Sequence, residues 1–440
     1  MALLVLILVL ISNPLIAGDI YTNSNLSAEY IRTFSRNAAI DHADAAQYNP
    51  AGLTRLRDGL YFNISNQTFF QNDVYVRTGN NPYVSRSEYR SDNTNWFFPN
   101  AYAVYKKDRL ALLGSAVMLA VGSARDWSNG LPSVDTQAVL ALIPVTTDPN
   151  PANYRASSSI EGSSYFIAYN AGAAYALTDI FSISAYGRYV YSTWEQKGTI
   201  RAEYIPVAAI QNNARIHIGH QGDGFSFAAG MNATLPYGFN AAITYEHAIP
   251  VELETSIKSD DTLQAQMAAM GQTPQYRDGE KKMLELPAVI RTGLNWRRDA
   301  LTMSASFTAY LTEYADMEFD AYDGEYSNTY ETALSAEYQI LTQLAISAGM
   351  QFTDTGAGAR QSDDLNGAVG DWFAFGAGAR FSPSDNSSIT FGIARSALVN
   401  EIKNADSTDE SLGVLGITNA HKTYYKEYIV VAFGAEYRFL

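Results

Sequence analysis

The sequence predicts an all-β fold: a transmembrane antiparallel β-barrel of about fourteen strands, its lumen plugged by an N-terminal hatch of short helices. Three observations predict it. From residue 58 onward apolar and polar residues alternate with period two, in runs longer than the ~5 or 6 residues usual for soluble sheets. The connections alternate strictly between short and long. Beyond the first residues no apolar run reaches the ~18 needed for a membrane helix.

The first segment, 1–17, reads as a signal peptide. Leu3 to Ile11 is an apolar run too short to span a bilayer, followed by Asn13-Pro14 and short residues near Ala17-Gly18, although Lys and Arg are missing from its start. Residues 18–57 lack sustained alternation and read as short helices and turns, over Leu26 to Ser35 and Asp41 to Gln47, then Asn49-Pro50-Ala51-Gly52.

The barrel occupies 58–440. Its strands are expected at 58–70, 95–106, 109–121, 160–176, 179–194, 222–235, 238–254, 283–297, 300–313, 327–339, 342–353, 370–381, 387–398 and 425–439. Phe225, Phe227, Met231 and Leu235 share one strand face; Leu301, Met303, Ala305 and Phe307 share another. Phe239, Ile243, Tyr245, Ile249, Val251 and Leu253 are expected on a single apolar face. The last strand places Ile429, Val431, Phe433, Tyr437 and Phe439 on one side and ends on an aromatic, the pattern of barrel C-termini. Thirty Tyr suit aromatic girdles at the interfaces. A barrel this wide is not filled by its own side chains, so residues 18–57 are expected to occupy the lumen.

Composition removes several functions. A net charge of -15 argues against nucleic acid, which needs clustered Lys and Arg. With no cysteine there are no disulfides and no thiolate sites. His217, His220 and Asp223 lie close together but lack a fourth metal ligand, so neither a metal nor a cofactor is expected. No phosphate loop or nucleophile elbow is present.

Ser35-Arg36-Asn37-Ala38-Ala39 and Asp44 to Leu53, centred on Asn49-Pro50-Ala51, resemble the hatch of the FadL-type outer-membrane transporters. Phe98-Pro99-Asn100-Ala101-Tyr102 with the turn Lys106 to Arg109, and Glu285-Leu286-Pro287-Ala288, are similar to that family at two further places, and the likeness runs the length of the chain. A departure is the bulkier Ala28 to Phe34, where the family often has glycine-rich sequence. The resemblance implies passive uptake of long-chain fatty acids or, in other branches, aromatic or aliphatic hydrocarbons, in the outer membrane of a Gram-negative bacterium. Ligand would be caught between the third and fourth outer loops and leave sideways after a hatch movement, through a gap at an inward kink of the third strand. Membrane lipid and lipopolysaccharide would surround a monomer.

Site residues follow from combining the two readings. Asn49, Pro50 and Ala51 are the expected gate; the alternative is a plain Asx turn. Gly114 is the expected third-strand kink, with a packing glycine as its alternative. Ile205, Val207 and Ile210, with Leu263, Met267 and Met270, would line the capture groove, unless those loops only pack on each other. Arg188 or Arg380 could receive a carboxylate, although pairing with other lumen charges or with Asp41 and Asp44 is the better-supported reading. Two rival functions are a polar-solute porin and a lipid hydrolase using His247 with a strand serine.

Overall fold

The computed structural model describes residues 22, 24–91, 94–258, 277–316, 327–357, 362, 364, 367–405 and 409–439. The expected signal segment and Leu263, Met267 and Met270 lie outside them.

The chain forms a closed antiparallel barrel of fourteen strands. In chain order these are β1 (Gly59–Gly79), β2 (in three pieces, Glu88–Arg90, Thr94–Asn95 and Asn100–Lys107), β3 (Leu110–Trp127), β4 (Tyr154–Ala176), β5 (Phe181–Tyr204), β6 (Gln211–Thr234) and β7 (Phe239–Glu246 and Ile249–Ile257). They continue as β8 (Lys281–Leu286 and Val289–Arg298), β9 (Leu301–Tyr310), β10 (Thr329–Leu341), β11 (Leu344–Asp354), β12 (Trp372–Ser384), β13 (Ser387–Leu398 and Ile402–Ala405) and β14 (His421–Phe439). Each pairs with its neighbours in sequence, and β14 pairs with β1 from Leu60↔Phe439 to Gly79↔His421. Closure leaves no free edge, so every strand can satisfy its backbone inside hydrocarbon.

The outer wall is apolar. Ile64, Phe225, Met231, Leu334, Phe375 and Phe433 are all more than half exposed, on the faces that alternation assigns to lipid. The inner wall is polar on several strands, as with Asn63, Ser65 and Gln67 on β1 and Ser182, Ser184 and Arg188 on β5.

The structure corrects the reading of the outer half. β4, β5 and β6 run on to Tyr154, Tyr204 and Gln211, so the third outer connection is only the turn at 205–210 rather than a long loop. Above the bilayer the alternation reverses. Ser157, Ser159 and Glu161 face out, while Ile160, Ile200, Ile216 and Ile218 face in. Those apolar residues pack against a helix that sequence reading missed, α1 (Pro132–Leu140), all of whose residues are buried. Pro132 at its first position presets the helical φ where the backbone N–H has no intrahelical partner. Together with Trp127, Tyr83 and Tyr89, α1 fills the outer end of the barrel.

A second correction concerns β7. Between the Glu246↔Ala228 and Val251↔Gly224 pairs β7 advances five residues and β6 only four. The extra residue flips the face, so Ile249, Val251 and Leu253 point inward while Phe239, Ile243 and Tyr245 point to lipid.

Candidate functional site: the hatch and the lumen cavity

The lumen holds residues 24–58, built from two single-turn helices, Ala28–Ile31 and Ala45–Tyr48, and a 3-10 helix, Pro50–Arg55. They are shorter than the helices expected, because the hatch is fixed by contacts with the wall rather than by helix propensity.

Asn49 is central to that fixing. It caps the 3-10 helix, its Oδ1 accepting from the Gly52 amide at 3.2 Å, with Pro50 next at the first helical position. Its Nδ2 donates to the Ala39 carbonyl at 3.0 Å and to Asn232 Oδ1 on β6 at 2.7 Å. The expected Asx turn and a hatch-to-wall bond are therefore both present in one buried side chain. Nearby, Asn240 Nδ2 on β7 donates to the Ala38 carbonyl at 3.1 Å, and Asn37 Nδ2 donates to the carbonyls of Thr292 and Phe307.

Buried charges tie hatch and wall together. Arg36 reaches Asp44 at 2.5 Å and Asp41 at 2.9 Å within the hatch. Arg32 pairs with Glu29 and with Glu337 of β10. Arg380 of β12 donates to Glu337 at 2.7 Å and to His42 Nε2 at 2.7 Å, and lies 3.4 Å from Asp41. Arg188 pairs with Glu246, donates to Asn170 Oδ1 at 2.7 Å, and reaches Gln47 of the hatch at 2.9 Å. Arg291 completes that cluster, 3.0 Å from Glu246. Arg188 and Arg380 are thus engaged by protein carboxylates, and neither lines the cavity described below.

The wall yields space where the hatch lies closest. Gly349 and Gly376 are cross-strand partners on β11 and β12; a Cβ at either would collide with the carbonyl oxygen of Thr33 or of Ile31.

On the outer side of the hatch is a cavity of about 180 Å³. Its walls are aromatic and come from three directions. Tyr30 and Phe34 of the hatch meet edge to face at 5.4 Å; Phe69 of β1 and Phe98 lie 5.3 Å apart; Trp372 of β12 stacks on Tyr428 of β14 at 5.7 Å. Ile31, Leu119, Ala374, Ala394 and Val430 complete the apolar lining. One acid, Glu331, is present, accepting from Ser24 at 2.6 Å and from Tyr310 at 3.0 Å, and among the described residues no Lys, Arg or His lines the space. Sequence reasoning missed this site. Its residues come from both ends of the chain, and the only local signal was aromatic side chains on faces that alternation assigns to the lumen.

The wall next to this cavity is broken. Residues 96–99 of β2 form no ladder, and Phe98 lines the cavity while Trp96 and Phe97 are exposed outside. Pairing there is reduced to one backbone bond, from the Gln67 amide to the Phe98 carbonyl at 3.3 Å, and two bonds of one side chain: Asn66 Nδ2 donates to the Trp96 carbonyl and Asn66 Oδ1 accepts from the Phe98 amide, both at 3.0 Å. β3 slips register between Met118 and Ala120 and again between Gly122 and Arg125. Gly114 marks no bend. It sits in unbroken pairing with Ala103 and Ala171, and a Cβ there would find nothing nearer than 3.9 Å.

The remaining expected residues lie elsewhere. Ile205 and Val207 are exposed on the 205–210 turn and Ile210 packs on the outer apolar cluster; the other half of the expected groove lies outside the described residues. His247 faces outward against Phe227 and Tyr245; Ser226 Oγ donates to its backbone carbonyl, not to its ring, so no serine–histidine pair exists there. His217 contacts Glu195 at 2.8 Å and His220 stacks on Trp194; among the described residues no group of side chains could hold a metal.

A closed barrel with a lipid-facing apolar wall, a pinned internal hatch and an aromatic cavity defines an outer-membrane channel for hydrophobic compounds. The chain belongs to the family described as Outer membrane protein transport protein (OMPP1/FadL/TodX), which it matches over residues 8–439. A Pseudomonas aeruginosa FadL homologue is similar in structure, with a TM-score of 0.63 at 16% identity, covering 94% of this chain and 99% of that one. The Pseudomonas putida toluene transporter TodX gives 0.59 at 12%, covering 91% and 96%; the Ralstonia pickettii toluene transporter TbuX gives 0.51 at 12%, covering 93% and 99%. Comparison with curated protein sequences returns no match.

Proposed function

We propose that this protein carries a compact, uncharged hydrophobic compound passively across the outer membrane, of aromatic-ring size rather than a long-chain fatty acid. The observation that carries this is the cavity. Its ~180 Å³ is comparable to the ~150 Å³ apolar cavity that accommodates benzene in an engineered protein. Its aromatic lining suits a ring, whereas a fatty acid carboxylate would meet Glu331 and, among the described residues, no lining cation. Arg188 and Arg380, the sequence candidates for a carboxylate partner, already hold protein acids. The toluene transporters among the similar structures are consistent with this choice.

Release is proposed to be lateral, through the β2 break beside Phe98, where Phe98 lines the cavity and Trp96 and Phe97 are exposed outside. Asn49 serves as the hatch pin whose release accompanies passage. An apolar cargo leaving this way avoids a step through water.

Equilibrium binding to the purified barrel, with toluene and oleate compared in one detergent, tests the reading. Saturable toluene binding weakened by Trp372→Ala supports it. Saturable oleate binding with none for toluene would move the protein to fatty acid transport.

A further inference from the structure

The cavity carries polar groups that a bare hydrocarbon leaves unused. β1 slips register between Gln71 and Asp73, and this bulge lies where Gln71 joins the cavity wall. Gln71 is 7% exposed, and neither its Oε1 nor its Nε2 has a hydrogen-bond partner among the described residues. Asn25 of the hatch lines the same cavity, and its Oδ1 is likewise buried and unpartnered. Two neighbouring polar groups are engaged. Gln351 Nε2 donates to Tyr30 Oη at 2.8 Å, while Glu331 accepts from Ser24 and Tyr310. One donor and two acceptors therefore stand at the edge of an aromatic box.

A buried amide left without partners is costly, so a ligand that pairs with it gains affinity over one that does not. The complement of an adjacent donor and acceptor is a single neutral group that both accepts and donates. A hydroxyl fits. A carboxylate offers no donor and would sit near Glu331; a hydrocarbon offers neither.

We propose that the cargo is a small aromatic alcohol or phenol. Its ring lies between Tyr30, Phe98, Trp372 and Tyr428, and its hydroxyl accepts from Gln71 Nε2 while donating to Gln71 Oε1 or Asn25 Oδ1. This rests on the cavity being the cargo site, as proposed above.

The test uses the full barrel in detergent micelles and three ligands of one shape, toluene, benzyl alcohol and benzoate, with ligand uptake by micelles alone subtracted. Benzyl alcohol is expected to bind about ten-fold or more tighter than toluene, and benzoate weaker than either. Gln71→Met, which keeps length and removes the amide, should abolish the preference for benzyl alcohol over toluene. Equal or tighter toluene binding to the unaltered protein overturns the proposal, and means Gln71 is satisfied by water alone. A Gln71→Met variant that weakens both ligands alike also overturns it, by making Gln71 a packing residue. Binding of none of the three removes the cavity as cargo site, a failure of the underlying reading rather than of the hydroxyl.

Discussion

Asn49 of the hatch donates to Asn232 of β6 across 2.7 Å, and the same side chain caps its own helix and holds the Ala39 carbonyl. One amide thus spends its hydrogen bonds on both the internal shape of the plug and its attachment to the wall. Replacing Asn49 by Leu would take the hatch-to-wall bond away and leave the Ala39 carbonyl short of its donor, at roughly 1–3 kcal/mol, while the Gly52 amide keeps the Asn49 carbonyl at 2.9 Å and Asn232 Oδ1 keeps the Asn240 amide at 2.8 Å. We expect the barrel to fold, as judged by heat-modifiable gel mobility, while ion conductance in planar bilayers rises because the plug is loosened. Conductance unchanged from the parent would show that the other hatch contacts suffice.

Gly349 makes a steric prediction. A side chain there would collide with the Thr33 carbonyl, so Gly349→Val should keep the hatch from seating against β11. Limited proteolysis should then cut within residues 24–58 of the variant while sparing the parent. Equal resistance would mean the wall can move outward to accept the side chain.

The Arg188–Glu246–Arg291 cluster is buried on all three members. Glu246→Leu would leave two guanidinium groups without their carboxylate. The cost of breaking such buried pairs is ~3–5 kcal/mol. Thermal unfolding in detergent should show a clear fall, larger than for Glu203→Leu, whose pair with Arg155 is exposed and worth at most ~1 kcal/mol. Equal shifts for the two variants would count against the cluster.

Asp135 gives the outer end a pH dependence. It lies on α1, outside the membrane; burial lifts its carboxyl to about 6, only partly opposed by hydrogen bonds from Ser158 at 2.7 Å and Tyr89 at 3.2 Å. Because the folded value lies above the ordinary 3.8, the favourable contribution is full below about 3.8 and is lost as pH rises through about 6. Hydrogen exchange of α1 amides, corrected for the intrinsic pH effect, should therefore show stronger protection at pH 5 than at pH 8. Asp135→Asn should remove the difference. Protection that grows with pH would contradict the assignment.

Phe98→Ala should test the wall of the cavity. Removing this ring enlarges the space beside the β2 break, so affinity for toluene should fall while hexadecane, expected not to bind the parent, begins to bind. Unaltered selectivity would place the cargo elsewhere in the lumen.

Much of this protein follows from local chemistry. Strand number, the lipid-facing positions such as Phe225 and Met303, the short turns and the presence of a plug over residues 18–57 that carries Asn49-Pro50-Ala51 were legible, because alternation is a period-two property of one strand and the bilayer demands one apolar face. The outer extensions of β4 to β6 were not legible. Outside hydrocarbon the apolar face turns inward onto α1, so the same alternation carries the opposite meaning. The flip at the β7 bulge escaped for a related reason, since only pairing with β6 shows that one residue is extra. The fates of Arg188 and Arg380 could not be read either, because a charge on the lumen face says nothing about which acid lies across the lumen. The cavity belongs wholly to the tertiary structure. Asn25, Gln71, Phe98, Trp372 and Tyr428 are far apart in sequence, and only barrel closure between β14 and β1, with the hatch seated inside, brings their side chains to one space.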